Sequence, residues 1–277
     1  MLNQPLEGWS SLVASALTVA LAAITTPIAG QWVNHPTKGL PRTADGKPDL
    51  AAPTPRTPDG RVDLSGIWQS ERDPKGTPGG VEGIVSPRYM INIMVDIKPG
   101  EVSLQPSAEA LFKQRGANLL RDNPMIRCLP AGVPRLDAYS HPYKIVQTPE
   151  LIVVMYESQT MFRQIFVDGR VLPKDPEPSW MGYSVGRWDG DVLVVETVGF
   201  NDQTWLDGLG HPHTEAMRLT ERFRRVSLGR LDIDIVIDDP QAYTGPIRYT
   251  QPQVLLPDTE LLEYICNENA KEMEQGR

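Results

Sequence analysis

The 277-residue chain has little positive charge and none of the usual nucleotide-binding loops. Its 27 lysines and arginines are outnumbered by 35 aspartates and glutamates, which gives a formal net charge of −8. Phosphate binding needs clustered lysine and arginine, so this balance argues against a nucleic-acid or anionic-membrane partner. The sequence also lacks Gly-x-Gly-x-x-Gly and Walker-type motifs. It therefore shows no sign of dinucleotide or nucleotide binding.

Cysteine is scarce as well, with only Cys128 and Cys266 in the chain. The two residues lack Cys-x-x-Cys spacing, so a redox role is not expected. In an exported protein an even count favours a disulfide, and closing so long a loop would contribute roughly 4–5 kcal/mol. Two buried thiols in a cytosolic protein are the alternative.

The first 30 residues are predicted to be a signal peptide or an N-terminal anchor. Residues 11–29 contain no charge, and Ala20-Leu21-Ala22 matches an A-x-A cleavage pattern. The preceding residues contain Glu7 and no lysine or arginine, which leaves an uncleaved anchor open. The protein is therefore expected to be exported, periplasmic or extracellular. Such an anchor is the only membrane contact expected.

Residues 31–63 are predicted to be a linker rich in Pro, Thr, Gly and Asp. Residues 41–50, PRTADGKPDL, recur as residues 55–64, PRTPDGRVDL. Ten residues are too few for a solenoid repeat, which needs about 20–50. The duplication therefore predicts a spacer of turns and polyproline-like pieces.

Residues 64–277 are predicted to form an all-β domain. Residues 144–166 contain three short apolar runs separated by turn residues. Further short apolar runs separated by turn residues follow towards the C-terminus. Hairpin signals at Asp189-Gly190 and Leu228-Gly229 join further runs. This pattern predicts an antiparallel, up-and-down barrel of about ten strands.

Three further segments complete the predicted architecture. Residues 91–97 and 261–266 are counted as strands, and residues 107–120 as the one short helix, with Ser107 as its N-cap. Long Pro-rich loops are expected between the strands, and residues 122–142, with four prolines, are expected to wrap the surface.

Strand alternation predicts a buried carboxylate at Glu221. In residues 231–238 isoleucines alternate with aspartates, so the aspartates face solvent. Pairing them with the arginines of residues 217–226 leaves Glu221 inward among apolar side chains. A desolvated carboxylate has a raised pKa and can serve as a general acid or base. The alternative is a buried salt bridge to Arg163 or Arg187.

The same alternation means that either Arg163 or Gln164 points inward. An inward Arg163 would clamp a carboxylate or phenolate of a substrate. The alternative places Arg163 on an outer face covered by a loop. Tyr156 and Tyr183 are interpreted as core residues whose hydroxyls lie at the rim, where they are available for substrate binding.

Residues 201–215 form the loop with the most chemically active side chains. His211 and His213 have a spacing that is common among metal ligands, because side chains two residues apart on an extended strand point to the same side. Glu215 or His141 would complete three protein ligands with an open fourth position, as in catalytic zinc sites. Non-metal acid–base histidines and a purely structural loop are the alternatives. Trp205 and His141 are further candidates for substrate binding.

Two resemblances support this reading. Gly66-x-Trp68 followed by antiparallel hairpins resembles the opening of lipocalin-like barrels. The chain also resembles a family of exported bacterial proteins, mostly of unassigned function. This resemblance covers most of the chain beyond Pro41 and rests on CLPAGVPR (128–135), YKIVQTP (143–149), GYSVGRW (182–188), GHPHTE (210–215) and LPDTE (256–260). It implies a secreted domain and no particular mechanism.

The sequence leaves two functions open. The first is an extracytoplasmic β-barrel enzyme of lyase, isomerase or hydrolase type that acts on a small apolar, possibly aromatic molecule. It would work without a cofactor or with zinc or another divalent metal, and His211, His213 and Glu221 would be its catalytic residues. The second is a non-catalytic lipocalin-like protein that binds a hydrophobic small molecule.

Overall fold

Nine strands pair in chain order within the part of the chain that the structure describes, and the first strand pairs with the last to close a barrel. The computed structural model describes residues 35–74 and 85–266, and from Pro36 onward they belong to one compact unit. The strands are β1 (Gly66–Ser70), β2 (Tyr143–Gln147), β3 (Leu151–Tyr156), β4 (Phe162–Phe166), β5 (Tyr183–Asp189), β6 (Val192–Val198), β7 (Arg218–Ser227), β8 (Arg230–Asp238) and β9 (Ile247–Leu255). The all-β barrel is confirmed.

Alternating burial forms the core of the barrel, as the predicted faces of β7 and β8 illustrate. Leu231, Ile233, Ile235 and Ile237 are buried, with at most 1% exposure. On the outer face, Arg218, Arg222 and Arg224 lie opposite Asp238, Asp234 and Asp232. The predicted pairing of arginine and aspartate rows is therefore confirmed.

Two details of the predicted barrel are wrong. The described residues contain nine strands and not about ten, because residue 91 ends a helix and residues 92–97 and 261–266 form turns and irregular chain. The barrel is also not strictly antiparallel, since β4 and β5 are parallel over two residue pairs. The parallel pairing is possible because the loop of residues 167–182 is long enough to return the chain to the end of the barrel at which β4 begins.

Helices occur only between β1 and β2 in the described parts of the chain: α1 (Arg88–Ile91), α2 (Pro106–Ala117) and α3 (Leu119–Asp122). The predicted helix therefore exists, but Gln105 and not Ser107 is its N-cap, because Pro106 already occupies the first helical position. Single 3-10 turns lie at Pro124–Arg127, Leu136–Ala138 and Ser158–Thr160. Among the described residues no helix is long and apolar enough to cross a membrane. The predicted signal peptide or anchor lies outside them.

One end of the barrel, where β1 begins, is closed by Trp68 and the chain that precedes it. Trp68 is fully buried and its indole N–H donates to the carbonyl of Leu64 at 3.0 Å. The Arg225 guanidinium lies 4.8 Å from the Trp68 ring centroid and donates to the carbonyl of Asp63 at 2.6 Å. Gly66 allows close approach, since a Cβ there would lie 2.7 Å from a Leu255 methyl. We call this the closed end.

The duplicated segment packs against the closed end. Each copy folds into the same small hairpin, in which the threonine N–H donates to the carbonyl four residues later at 2.9 Å. The arginine of the first copy, Arg42, pairs with Asp258, and that of the second, Arg56, pairs with Asp191, each at 2.7 Å. The described part of the predicted linker is therefore attached to the barrel.

The opposite end, which we call the capped end, is covered by chain between β1 and β2 and by the loop between β6 and β7. Residues 131–138 are all buried, so the prediction that residues 122–142 wrap the surface is wrong for this stretch. Its 3-10 turn Leu136–Ala138, which we call the buried turn, enters the capped end. The predicted disulfide is confirmed: Cys128 and Cys266 are bonded, with 5.6 Å between their Cα atoms.

Candidate functional site

A buried ion pair crosses the barrel interior near the capped end. Nη1 of Arg163 donates to Oε1 of Glu221 at 3.1 Å, and Nη2 donates to Oε2. The two side chains are only 1% and 0% exposed. Arg163 also donates to the hydroxyls of Ser184 at 3.0 Å and Thr197 at 2.8 Å. Glu221 faces inward as alternation predicts, and of the two residues left open, Arg163 is buried and Gln164 is exposed. Arg163 and Glu221 form the buried salt bridge that is the alternative to catalysis by Glu221.

Asp137, on the buried turn, faces the same interior. Its Oδ1 accepts a hydrogen bond from the Tyr156 hydroxyl at 2.7 Å, and its Oδ2 lies 3.9 Å from Nη1 of Arg163. The amides of Gln251 and Gln253 donate to the main-chain carbonyl of Asp137 at 2.6 and 2.9 Å. These two contacts from β9 hold the turn, and with it the Asp137 carboxyl, inside the barrel.

The environment of Asp137 favours its protonated form. Burial raises the pKa of Asp137 to about 7, and the negative charge of Glu221 adds to this rise. Arg163 and the hydrogen bond from Tyr156 act in the opposite direction but do not cancel it. Arg163 lowers the pKa of Asp137 only in part, because its guanidinium is hydrogen-bonded to Glu221 and lies farther from Asp137. Asp137 is therefore a carboxyl that can gain or lose a proton near neutral pH.

Several buried polar atoms around Asp137 have no hydrogen-bond partner in the described part of the chain. They are Oδ2 of Asp137, the hydroxyl of Tyr143 and the side-chain oxygens of Gln251 and Gln253. Burial raises the pKa of Tyr143 well above its ordinary value, so its hydroxyl stays a donor. Native proteins pair nearly all such atoms with protein, water or a ligand. We call Asp137, Tyr143, Tyr156, Arg163, Glu221, Gln251 and Gln253 the interior cluster.

One cleft approaches the interior cluster from the seam between β1 and β9. It has a volume of about 440 Å³, within the range of small-molecule sites. Ser70 and Gln251, both buried, line it, and the Gln251 amide donates to Ser70 at 3.2 Å. Tyr89 also lines this β1–β9 cleft, and its ring stacks on that of Tyr249 with 4.2 Å between centroids.

A second cleft, of about 340 Å³, lies where β4 and β5 diverge. Phe162, Trp180 and Tyr183 contribute aromatic side chains, and the buried residues Arg163 and Ser184 also line it. Phe162 is 62% exposed, which is unusual for a large apolar side chain. We call this the β4–β5 cleft. It places Tyr183, a predicted substrate-binding residue, outside the barrel and next to the wall that carries Arg163.

The predicted catalytic histidines lie away from the interior cluster. His211 donates from Nδ1 to Oδ2 of Asp207, and its ring stacks on Phe112 with 4.3 Å between centroids. Asp207 is fully buried and also accepts main-chain N–H groups from Ile93, Leu209, Gly210 and His211. This carboxylate therefore organises the loop and holds one tautomer of His211.

His213 is a buried neutral histidine. Its Nδ1 faces the carbonyl of Thr214 at 3.3 Å, and its Nε2 bonds to the hydroxyl of Thr204. Burial lowers its pKa, so protonation is disfavoured. Both ring nitrogens are already used, which fits the alternative of a structural loop. Glu215 makes no third ligand, and no group of three His, Cys, Asp or Glu that could hold a metal ion occurs in residues 35–74 and 85–266.

The other predicted binding residues are dispersed. Tyr156 belongs to the interior cluster. Trp205 is 2% exposed and packs under Arg115, 5.2 Å from its guanidinium. His141 lies between the rings of Tyr139 and Tyr264, with centroid distances of 6.0 and 5.2 Å. Of the candidates, only Arg163, Glu221 and Tyr156 are therefore brought together.

Residues 182–186 match Gly-x-Ser-x-Gly, the pattern of a nucleophile elbow, which places its serine on a strand-to-helix turn. Ser184 instead lies within β5. Its hydroxyl accepts from Arg163 and bonds to Thr197 at 2.9 Å. Ser184 therefore holds Arg163 in place and lacks the geometry of an elbow nucleophile.

Sequence reasoning missed Asp137 and the glutamines of β9. A signal for the glutamines exists, because Ile247, Tyr249, Gln251, Gln253 and Leu255 alternate as buried residues along β9. Polar side chains at inward positions of a strand indicate a polar interior. Asp137 has no such signal, because it lies in an irregular Pro-rich segment where neither helical nor strand periodicity applies.

Comparison of the chain with protein-family models and with curated proteins gives no match. The resemblance to a family of exported bacterial proteins therefore remains a prediction.

Proposed function

We propose that the protein is an acid–base enzyme acting on a small, largely apolar molecule, and that Asp137 exchanges the proton. The observation that carries this proposal is a wholly buried carboxyl whose pKa is raised to about 7 and whose Oδ2 accepts no hydrogen bond from the described residues, with Arg163 3.9 Å away. General acids and bases work best when their pKa lies near the working pH. Lyase, isomerase and hydrolase reactions all use such a group.

The other members of the interior cluster have supporting roles in this proposal. Protonated Asp137 would donate from Oδ2 to a substrate oxygen, and ionised Asp137 would remove a substrate proton. The Tyr143 hydroxyl and the Gln251 and Gln253 oxygens would orient polar atoms of the substrate. Arg163 balances the charge of Glu221. Burial and the nearby charge of Glu221 favour the protonated form of Asp137. This route uses neither His211 nor His213 and needs no cofactor.

Access and location are part of the same proposal. The β1–β9 cleft is the route we assign to the substrate, since Gln251 lines the cleft and its amide contacts the Asp137 carbonyl. Export is supported by the Cys128–Cys266 disulfide, because such bonds persist mainly in oxidising compartments.

Turnover by an Asp137→Asn variant tests the proposal. A panel of enolisable ketones, aryl esters and phenolic acids would be screened with the wild type at pH 7. For any compound turned over, the variant should lose at least about 100-fold in rate, because it cannot exchange the proton. The matched control is Asp189→Asn, a 65% exposed aspartate paired with Arg222, which should keep full activity. Undiminished turnover by Asp137→Asn would remove Asp137 from the mechanism.

The raised pKa of Asp137 predicts a pH-dependent stability. In the unfolded chain this carboxyl titrates near pH 4, so stability from its protonated folded form is complete below that pH and is lost as pH rises through 7. Between pH 5 and pH 8 this group should cost the wild type about 3 kcal/mol of unfolding free energy. The lowered pKa of His213 acts in the opposite direction over this range, so the loss is measured as a difference from Asp137→Asn. In urea denaturation at both pH values, the wild type and Asp189→Asn should lose about 3 kcal/mol more than Asp137→Asn. An equal loss in Asp137→Asn would contradict the prediction.

A non-catalytic binding barrel is the second candidate, and the β4–β5 cleft favours it. An exposed aromatic cleft beside a buried polar wall suits a hydrophobic or aromatic ligand with one polar end. Titration with a fluorescent apolar probe distinguishes the two candidates. Binding that Phe162→Ser weakens, without turnover of any compound in the panel, would favour the binding protein.

A further inference from the structure

The barrel wall is incomplete between β4 and β5, because these strands meet over only two residue pairs. Ile165 and Phe166 pair with Ser184 and Val185. Before these positions β4 has β3 on one side, and its other side faces the β4–β5 cleft. We call this uncovered side of residues Phe162–Gln164 the open edge.

Main-chain groups point from the open edge into the β4–β5 cleft. Antiparallel strands exchange hydrogen bonds through every second residue. The N–H of Tyr156 donates to the carbonyl of Met161 at 2.8 Å, so Met161 bonds to the β3 side and Phe162 and Gln164 present their main-chain groups to the other side. Within residues 35–74 and 85–266 no loop main chain bonds to Phe162. An open strand edge of this kind can pair with a further strand.

The opposite side of the β4–β5 cleft is held away from β4 by its own contacts. Gly182 has a φ of +64°, and a Cβ there would lie 2.9 Å from the carbonyl oxygen of Val198, so only glycine fits this turn. The N–H of Ser179 donates to the carbonyl of Gly199 at 2.9 Å, and the N–H of Asn201 donates to the carbonyl of Ser179 at 2.9 Å. The cleft is therefore a preformed feature of the fold.

The outer side chains around the open edge are largely aromatic. Phe162 and Phe166 lie on the outer face of β4, and Phe162 is 62% exposed. Trp180 and Tyr183 line the β4–β5 cleft from its opposite side. Aromatic side chains stabilise a sheet by packing against the side chains of a neighbouring strand. A strand placed along the open edge would therefore bury these rings.

The β4–β5 cleft offers no unpaired charge to a partner. Of the described residues that line it, only Arg163 is charged, and its guanidinium is bonded to Glu221 inside the barrel. At the rim the Arg170 guanidinium lies 3.7 Å from the Phe166 ring centroid, and Asp168 pairs with it at 2.6 Å. A charged group that entered the cleft would lose water without gaining a counterion. The chemistry of the cleft therefore suits an uncharged partner segment.

We infer that the open edge binds an extended, uncharged peptide segment of another protein by strand addition. The main chain of the segment would pair with Phe162 and Gln164, and aromatic side chains at every second position would pack against Phe162, Trp180 and Tyr183. The cleft of about 340 Å³ limits this contact to a few residues. The binding uses the outer surface of the wall and does not depend on the chemistry proposed for Asp137.

An NMR titration of the full, isotope-labelled chain with a blocked hexapeptide, in which Phe alternates with Ser, tests this inference. The amide signals of Phe162 and Gln164 should shift, with a dissociation constant below about 1 mM. A matched depsipeptide, in which ester oxygens replace the internal amide N–H groups, should bind at least about tenfold more weakly, because it cannot donate to the strand edge. Equal affinities would overturn strand addition and leave a cleft for small aromatic ligands. Absence of binding at 1 mM peptide would overturn the site.

Protein variants locate the binding on the molecule. Phe162→Ser should weaken the hexapeptide at least about tenfold and keep the unfolding midpoint of the wild type, because Phe162 is mostly exposed. Val226→Ser changes another exposed apolar residue, 51% exposed on β7, and should keep full binding. A hexapeptide with Glu in place of Ser should bind more weakly than the Ser peptide. Unchanged binding in Phe162→Ser, or tighter binding of the Glu peptide, would contradict the inference.

Discussion

Replacing Glu221 by glutamine is expected to lower the free energy of unfolding by about 3–5 kcal/mol. The substitution keeps the shape of the side chain but removes the carboxylate that is hydrogen-bonded to Arg163. Only Asp137, 3.9 Å from the guanidinium and without a hydrogen bond to it, then remains as a buried acid beside Arg163. Removing one partner of a buried ion pair is costly because the remaining charge cannot be solvated. Thermal unfolding should show a midpoint about 10 °C lower than that of the wild type.

A double variant separates the contribution of the ion pair to stability from the cost of leaving one charge buried without a counterion. Arg163→Met combined with Glu221→Met removes both charges, so it should recover most of the lost stability. Glu196→Gln is the control, since Glu196 is 47% exposed and lies 3.9 Å from Arg187. It should change the free energy of unfolding by less than about 0.5 kcal/mol. A loss below about 1 kcal/mol in Glu221→Gln would show that the pair is not desolvated.

Removing the disulfide should have an effect of similar size. Cys128→Ser combined with Cys266→Ser opens a loop spanning 138 residues. The unfolded chain then gains conformational freedom, so the free energy of unfolding should fall by about 2–5 kcal/mol. Urea denaturation of the oxidised wild type and of the double variant measures this difference.

A reductant supplies the internal control for the disulfide. Dithiothreitol should destabilise the wild type to about the level of the double variant and should leave the double variant unchanged. The region released first should be residues 124–128, because the bond joins Cys128 to the end of the described chain. Hydrogen exchange at these amides should therefore accelerate on reduction. Equal stability of oxidised and reduced wild type would contradict this role.

Much of the barrel was predictable because its strands have clear local signals. Alternation placed the aspartates of β8 outside and Glu221 inside, and the Asp189-Gly190 turn marked the β5–β6 hairpin. The parallel pairing of β4 and β5 was not predictable. This pairing depends on the path of the loop of residues 167–182, and hydrophobic periodicity does not predict the path of a loop.

The candidate site was predictable only in part. The inward position of Glu221 follows from periodicity, which leaves open whether Arg163 or Gln164 is inward. The pairing of Glu221 with Arg163 depends on barrel closure. The two-residue spacing of His211 and His213 predicted that both rings face one side, but the rings contact different residues, Asp207 and Thr204. Asp137 could not be identified as a candidate from the sequence, because burial of an irregular segment depends on the elements that cover it.

The sequence by itself determined an all-β chain with an inward Glu221 and with either Arg163 or Gln164 inward, since side-chain alternation along a strand is a local property. Only the tertiary structure decided that the buried turn enters the barrel and carries Asp137 to the Arg163–Glu221 ion pair. This outcome rests on contacts between residues distant in sequence. Desolvation, which raises the pKa of Asp137, exists only after the chain has folded around it.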